Sequence, residues 1–167
     1  RDSAERLRED VDLRYQVRHM TLLRDGLFRR GIYIPWVYQQ YSTGRLCVWE
    51  HVEGVSLQAL LDFEQQDADL AARWSAWNRV IPSMAARRLL MALLNTVSGN
   101  GIFQEDITRS QIILLGEGRV CLGGPYRTLQ FENEFQLNFV RRFQSLADDN
   151  ISQFAELTLS LCDNGLM

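Results

Sequence analysis

Apolar residues fall along this chain in helical stripes at both ends and in short β-type runs between them. Over residues 3–24 the positions Leu7, Val11, Val17, Met20 and Leu23, with Leu13 and Leu27 close by, recur at mostly helical intervals among many charges. That spacing predicts a long amphipathic helix with Asp2 or Ser3 as N-cap. His19 within it reads as a surface or half-buried side chain, because no second His or Cys stands at metal-ligand spacing. Residues 32–38 and 45–50 are rich in β-branched and aromatic types and flank the turn Ser42-Thr43-Gly44. They predict two antiparallel strands, with Pro35 making the first start late or run along an edge. Ser56 is placed to cap a short helix over 57–63, and the polar stretch 64–69 reads as a loop or fraying helix end. Trp74 and Trp77, at i,i+3 spacing within 70–80, are expected to pack in the core.

Pro82 near a helix start, followed by Met84, Leu89, Leu90, Met91, Leu93, Leu94 and Val97, predicts a strongly apolar central helix that Gly99-Asn100-Gly101 ends. Two β-type runs, 111–115 and 119–122, stand on either side of Gly116-Glu117-Gly118 and predict a tight hairpin. Beyond it Phe131, Phe135, Phe139 and Phe143 recur every four residues and predict one broad buried stripe. A last helix is expected over 151–161 with Phe154, Leu157 and Leu161 on its apolar side. The order is helix, two strands, helices, hairpin, helices, which is a mixed α+β domain with a mainly helical second half.

Composition narrows the chemistry. At 167 residues the chain has room for one domain with a real core, and its first residue, Arg1, points to a processed product or a piece of something longer. A net charge of -3 gives no overall basic field, so nucleic acid is not an expected partner. No run approaches the roughly 18 apolar residues of a membrane span, and no signal pattern opens the sequence. Cys47, Cys121 and Cys162 are odd in number, widely spaced and set in apolar patterns. They read as buried thiols in a reducing, cytoplasmic compartment, with neither a zinc site nor a disulfide expected. All 18 basic residues are arginine, so no Schiff base, lysine general base or phosphate-holding lysine can come from this chain.

The passage Ile34-Pro35-Trp36-Val37-Tyr38, followed by residues 41–54 with Ser42-Thr43 and Trp49-Glu50-His51-Val52-Glu53-Gly54, looks like a Pro-x-Val, Ser-Thr, Met-Glu-x-x-x-Gly pattern. Asp10-Val11-Asp12 and Gln16-Val17 sit where that pattern is preceded by Glu-x-Asp and Glu-Ala on a long helix. In this order and spacing the passages resemble the UbiB/AarF atypical kinase family over roughly residues 9–129. The resemblance implies a protein-kinase-like fold, with residues 1–54 as a partial N-lobe (helix, antiparallel strands, hinge) and 55–167 as a mainly helical C-lobe. The hairpin would follow the catalytic-loop position, and the two segments are expected to form one compact unit. It also implies cofactor-contacting hinge positions at Glu50 and Val52. The family's catalytic loop, His-x-Asp-x-His-Pro-x-Asn, falls on residues 104–111, so Asp106 matches the catalytic base and Gln111 replaces the magnesium-binding Asn. Where the family has Asp-Phe-Gly, this chain has Gly123-Gly124-Pro125.

Phosphoryl transfer rests on positioning and on charge neutralisation by lysine and magnesium. With the metal-holding Asp replaced by Gly123, the Asn by Gln111 and no lysine, the expectation is a catalytically inactive pseudokinase-like domain. It would bind a protein partner or regulate as a scaffold, with no metal and no bound cofactor, and Asp106 would be a remnant. The alternative is an active nucleotide-dependent kinase or ATPase linked to quinone or lipid metabolism, using ATP and magnesium, with its lysine and Gly-rich loop on a preceding segment. A second alternative is an unrelated α+β adaptor domain. The pairs Arg87-Arg88 and Arg141-Arg142 carry one further expectation, peripheral contact with an anionic membrane if they form one patch.

Overall fold

The computed structural model describes Leu7, residues 11–27, 31–124 and 127–163, with side chains through residue 160. The expected N-cap at Asp2 or Ser3, together with Asp10, Pro125 and the side chains of Leu161 and Cys162, lies outside the described residues. Helix α1, Leu13–Leu27, lays Met20, Leu23 and Leu27 in the core, with Val17 and Leu22 partly buried beside them. These positions are mostly three or four apart, which is the stripe expected of an amphipathic helix. The start of α1 docks on the loop at Gly44, whose carbonyl accepts from the Leu13 N–H at 3.0 Å. Asp12 accepts from the Arg14 backbone N–H at 3.1 Å and from its guanidinium at 2.6–3.0 Å.

Strand β1, Ile32–Tyr33, runs parallel to a strand of the later hairpin and not antiparallel to residues 45–50 as expected. What remains of the expected pair is one antiparallel bridge, Val37 to Trp49. Hydrogen bonds from the Tyr38 N–H to the Val48 carbonyl (2.9 Å) and from the Glu50 N–H to the Trp36 carbonyl (2.7 Å) flank it. Pro35 has no N–H to give, and a 3-10 turn at Gln39–Tyr41 bends the chain just past Val37, so the ladder stops after a few rungs.

Strand β2, Val55–Ser56, feeds helix α2, Leu57–Gln66, through a cap in which the Ser56 hydroxyl accepts from the Ala59 N–H at 3.1 Å. The polar stretch expected to be a loop or a fraying helix end is the end of this helix through Gln66, because Glu64, Gln65 and Gln66 are good helix formers. Asp67 alone breaks the chain and then caps helix α3, Ala68–Trp77, accepting from the Leu70 N–H at 2.9 Å. Trp74 packs on the core as expected, but Trp77 is 89% exposed. It is the last residue of α3, at the point where the chain turns away.

Helix α4, Pro82–Asn100, has its proline in the first turn and ends at Gly101, which caps it in the left-handed region (φ +63°). Its core face is Ala85, Ala92, Thr96 and Val97; Met84, Leu90 and Met91 are exposed, so this helix is buried along one side only. Strand β3, Ile102–Glu105, follows at once. The predicted hairpin is β4, Ile112–Leu114, and β5, Val120–Leu122, paired Ile112 to Leu122 and Leu114 to Val120 around a 3-10 turn at Gly116–Gly118. Strand β6, Arg127–Gln130, which no sequence pattern announced, pairs antiparallel with β3. The sheets are thus β1-β5-β4-β2 and β3-β6. Helices α5, Asn133–Ala147, and α6, Ile151–Asp163, pack on each other after them. The phenylalanine row is a ladder, with ring centroids 4.1 Å apart for Phe131 and Phe135 and 5.0 Å for Phe139 and Phe143. It is half-buried and not fully covered: Phe143 is exposed, and Arg142 stacks at 5.5 and 5.3 Å from the Phe143 and Phe154 rings.

Period-two alternation sends Ile112 and Leu114 toward the helices and Ile113 to the opposite face of β4. There the backbone at Gly54 comes so close that a Cβ would lie 2.5 Å from Ile113 Cγ2 and 2.8 Å from the Leu114 carbonyl oxygen. The second of these neighbours is backbone and cannot swing aside. Gly54→Ala should therefore lower stability by about 1–3 kcal/mol in urea denaturation, the range for overpacking a close contact, and an unchanged midpoint would refute the packing.

Candidate functional site

Residues 106–111 form the loop from β3 to β4, and Asp106 is its first residue past the strand. Asp106 is exposed and sits at φ +54°, a left-handed conformation that Asp tolerates better than most residues. The loop is pinned at several points. The Thr108 N–H donates to Gln111 Oε1 at 2.9 Å, the Gln111 N–H to the Thr108 carbonyl at 3.1 Å, and the Gln58 N–H to the Arg109 carbonyl at 3.2 Å. The Gly123 N–H donates to the Gln111 carbonyl at 2.7 Å, so the two expected metal-position residues do stand side by side. Their side chains offer little: the Gln111 amide oxygen is engaged by Thr108, and Gly123 has no side chain. A Cβ on Gly123 would collide with Ile113 Cδ1, so any side chain there would first have to displace that methyl group.

Beneath the loop lies a polar cluster that sequence reasoning missed. Gln104, at the position of the family's first catalytic-loop histidine, is buried, and neither its amide oxygen nor its amide nitrogen has a hydrogen-bond partner among the described residues. It pairs across the sheet with Thr128, whose hydroxyl lies 2.5 Å from His19 Nδ1. His19 is therefore buried, contrary to the surface reading, because α1 turns that face toward β6. Only the strand pairing of β6 could have revealed this.

The expected hinge positions do structural work. Glu50 accepts from the Tyr33 hydroxyl at 2.5 Å and from the Trp36 N–H at 3.0 Å. The Tyr33 hydroxyl, then the Trp36 N–H, hold its carboxyl below the usual carboxylate range. The same bond, with burial, pushes the Tyr33 phenol above its ordinary value. The Arg24 guanidinium donates to the Ile34 carbonyl at 2.6 Å and lies 4.6 Å from the Trp36 ring, tying α1 to the same strand. Val52 is half-buried in the loop that follows. Cys121 is buried in β5, where desolvation pushes its thiol up to about 12, and it is inert as a nucleophile at neutral pH.

A magnesium nucleotide asks for hard oxygen ligands at its metal and a cation at its phosphates. Among the described residues no three of His, Cys, Asp and Glu converge to hold a metal. The site offers the Asp106 carboxylate and an engaged amide, with no side chain at Gly123, and the chain has no lysine. This donor set does not fit a magnesium nucleotide.

A helix, a short strand pair, and a hairpin entered through an acid-bearing loop from a long helix define a kinase-like α+β domain. The chain matches the family model of the ABC1 atypical kinase-like domain over residues 1–158, and it belongs to that family. Among curated proteins, none matches it significantly.

Two measurements probe this geometry. Gly123→Ala meets only the far end of the Ile113 side chain, so it should cost less than Gly54→Ala, about 1 kcal/mol, and Ile113→Val, which deletes Cδ1 and keeps Cγ2, should relieve at least ~0.5 kcal/mol of it in a double-mutant cycle. Ile113→Val should leave the cost of Gly54→Ala unrelieved, and equal relief at both glycines would refute the assignment. For Glu50, whose carboxyl is lowered in the fold, the contribution to stability is present above the ordinary carboxylate range and lost as pH falls through the lowered value. For Tyr33, whose phenol is raised, it is present below about 10 and lost as pH rises through the raised value. Tyr33→Phe should flatten both limbs of a plot of denaturation midpoint against pH.

Proposed function

We propose that this domain performs no phosphoryl transfer and acts as a catalytically inactive kinase-like scaffold that binds a protein partner. The observation that carries the reading is Ile113 Cδ1 in the space beside Gly123, where the resemblance would put the metal-holding aspartate. Metal stabilisation of a transition state is worth several kcal/mol, and each ~1.4 kcal/mol is tenfold in rate, so a site without it falls short by decades. Asp106 is accounted for by its backbone: at φ +54° the loop favours Asp, Asn or Gly whether or not a proton is to be taken. Under this reading the surface of the domain, and not its cleft, is what a partner recognises.

The competing reading is an active nucleotide-dependent enzyme completed by a lysine and a Gly-rich loop from a preceding segment. A thermal-shift titration of the whole chain with ATP, with and without magnesium, separates the two, because a ligand bound only by the native state raises its apparent stability. We expect no magnesium-dependent shift. A shift that requires magnesium, with phosphate release abolished by Asp106→Asn, would establish the enzyme instead.

A further inference from the structure

We propose that the elbow between α3 and α4 is a docking tip for the surface of an anionic membrane. The two helices meet at 63°, and the short connection between them brings three large apolar side chains to the outside: Trp77, 89% exposed, Ile81, 52%, and Met84, 57%. Large exposed apolar groups gathered on one corner mark a surface that meets something. This corner is not loose chain that could fold back over them. The Asn78 side-chain amide donates to the Trp74 carbonyl at 2.9 Å, and the Val80 N–H to the Ser75 carbonyl at 2.8 Å. Val80 itself is buried in the core, and Trp74 packs against it. From the hairpin turn, the Glu117 N–H donates to the Asn78 carbonyl at 2.8 Å, and Arg88 reaches across to the Gly118 carbonyl at 2.5 Å. The tip is held out by its own scaffolding.

Charge says what it meets. The chain is acidic overall, yet from Leu70 to Gln104 it has four arginines and no Asp or Glu. Arg73, Arg79 and Arg87 are exposed, and Arg79 stands between Trp77 and Ile81. Acids near these arginines include Glu117, whose backbone N–H bonds the Asn78 carbonyl, and Asp69, one turn before Arg73 on α3. Arginines rimming an apolar point with an indole at its end suit the headgroup layer of an anionic bilayer, where Trp prefers to sit and each basic group adds attraction. A symmetric pairing with a second copy would set these same arginines against one another. No single helix is long and apolar enough to cross a membrane; α3 and α4 are apolar enough only when taken together, across a 63° bend, and the proposal is for contact at the surface.

Neither the site geometry nor nucleotide binding enters this argument, so it stands apart from the scaffold reading. The test is co-sedimentation of the whole chain with vesicles of phosphatidylcholine alone and of phosphatidylcholine mixed with phosphatidylglycerol. Wild type should bind the mixed vesicles selectively and less tightly as salt rises. Trp77→Ser and the double variant Arg79→Glu/Arg87→Glu should each reduce binding at least about tenfold. Because these side chains are exposed, both variants should melt with wild type. Binding equal on the two vesicle types, no binding, or binding that survives both variants would overturn the proposal. So would a dimer in size-exclusion chromatography that Trp77→Ser converts to monomer, since the tip would then be a self-association surface.

Discussion

One isoleucine side chain sets the shape of the centre of this domain. Ile113 projects from the middle of a three-residue strand, and the backbone closes on it from two directions, at Gly54 and at Gly123. Both approaches are possible because those residues lack a Cβ. The first brings the end of the connector from the strand pair onto β4, which is where β2 begins its pairing with Leu114 and Ile113. The second brings the end of β5 over the same side chain, and the Gly123 N–H completes the closure on the Gln111 carbonyl. Fold and site are therefore decided by a single packing event. The side chain on which Gly54 closes is also the one that a Cβ at Gly123 would meet.

The other half of the molecule is joined by polar contacts. Arg24 on α1 reaches the Ile34 carbonyl, Tyr33 reaches Glu50, and Glu50 takes the Trp36 N–H. Such a network substitutes for the strand ladder that Pro35 and the following turn cut short. Hydrogen bonds to charged groups are the stronger kind, worth roughly 1.5–3 kcal/mol each before solvent screening, and there are three of them here. His19 and Thr128 make a second tie, from α1 to the β3-β6 pair, so the helix is anchored to both sheets by side chains as well as by its apolar stripe.

The sequence disclosed these features unevenly, for physical reasons. The helices were legible because a stripe three and four apart, a serine before it or a proline at its start are local signals, and Leu60, Met20, Leu23 and Pro82 all behave as such signals require. The hairpin was legible from its glycines. Strand β1 was read with the wrong partner because pairing is a long-range choice: Ile32 and Tyr33 look the same whether they lie beside Val48 or beside Val120. Strand β6 was missed because Arg127-Thr128-Leu129-Gln130 has no apolar face of its own and is a strand only because β3 is there to pair with it. Trp77 was misjudged because helical spacing says which face a residue shares, and not where the helix ends. At the site, Gln111 and Gly123 lie next to each other, joined by the bond from the Gly123 N–H to the Gln111 carbonyl. The role of Ile113 was hidden, since a β-branched residue in a strand attracts no notice. Isolated glycines at the two ends of neighbouring strands were the available hint of close backbone approach.

The hairpin also explains how one small element serves two ends of the molecule. Its open end holds Gln111 and Gly123, and its turn, Gly116–Gly118, braces the α3–α4 elbow through Asn78 and Arg88. Strands of three residues span roughly 10 Å, too short to flex between those ends. Such a piece fixes the position of both ends through its pairing, Ile112 to Leu122 and Leu114 to Val120. A domain built around it presents its elbow and its loop in a fixed relation whatever occupies either.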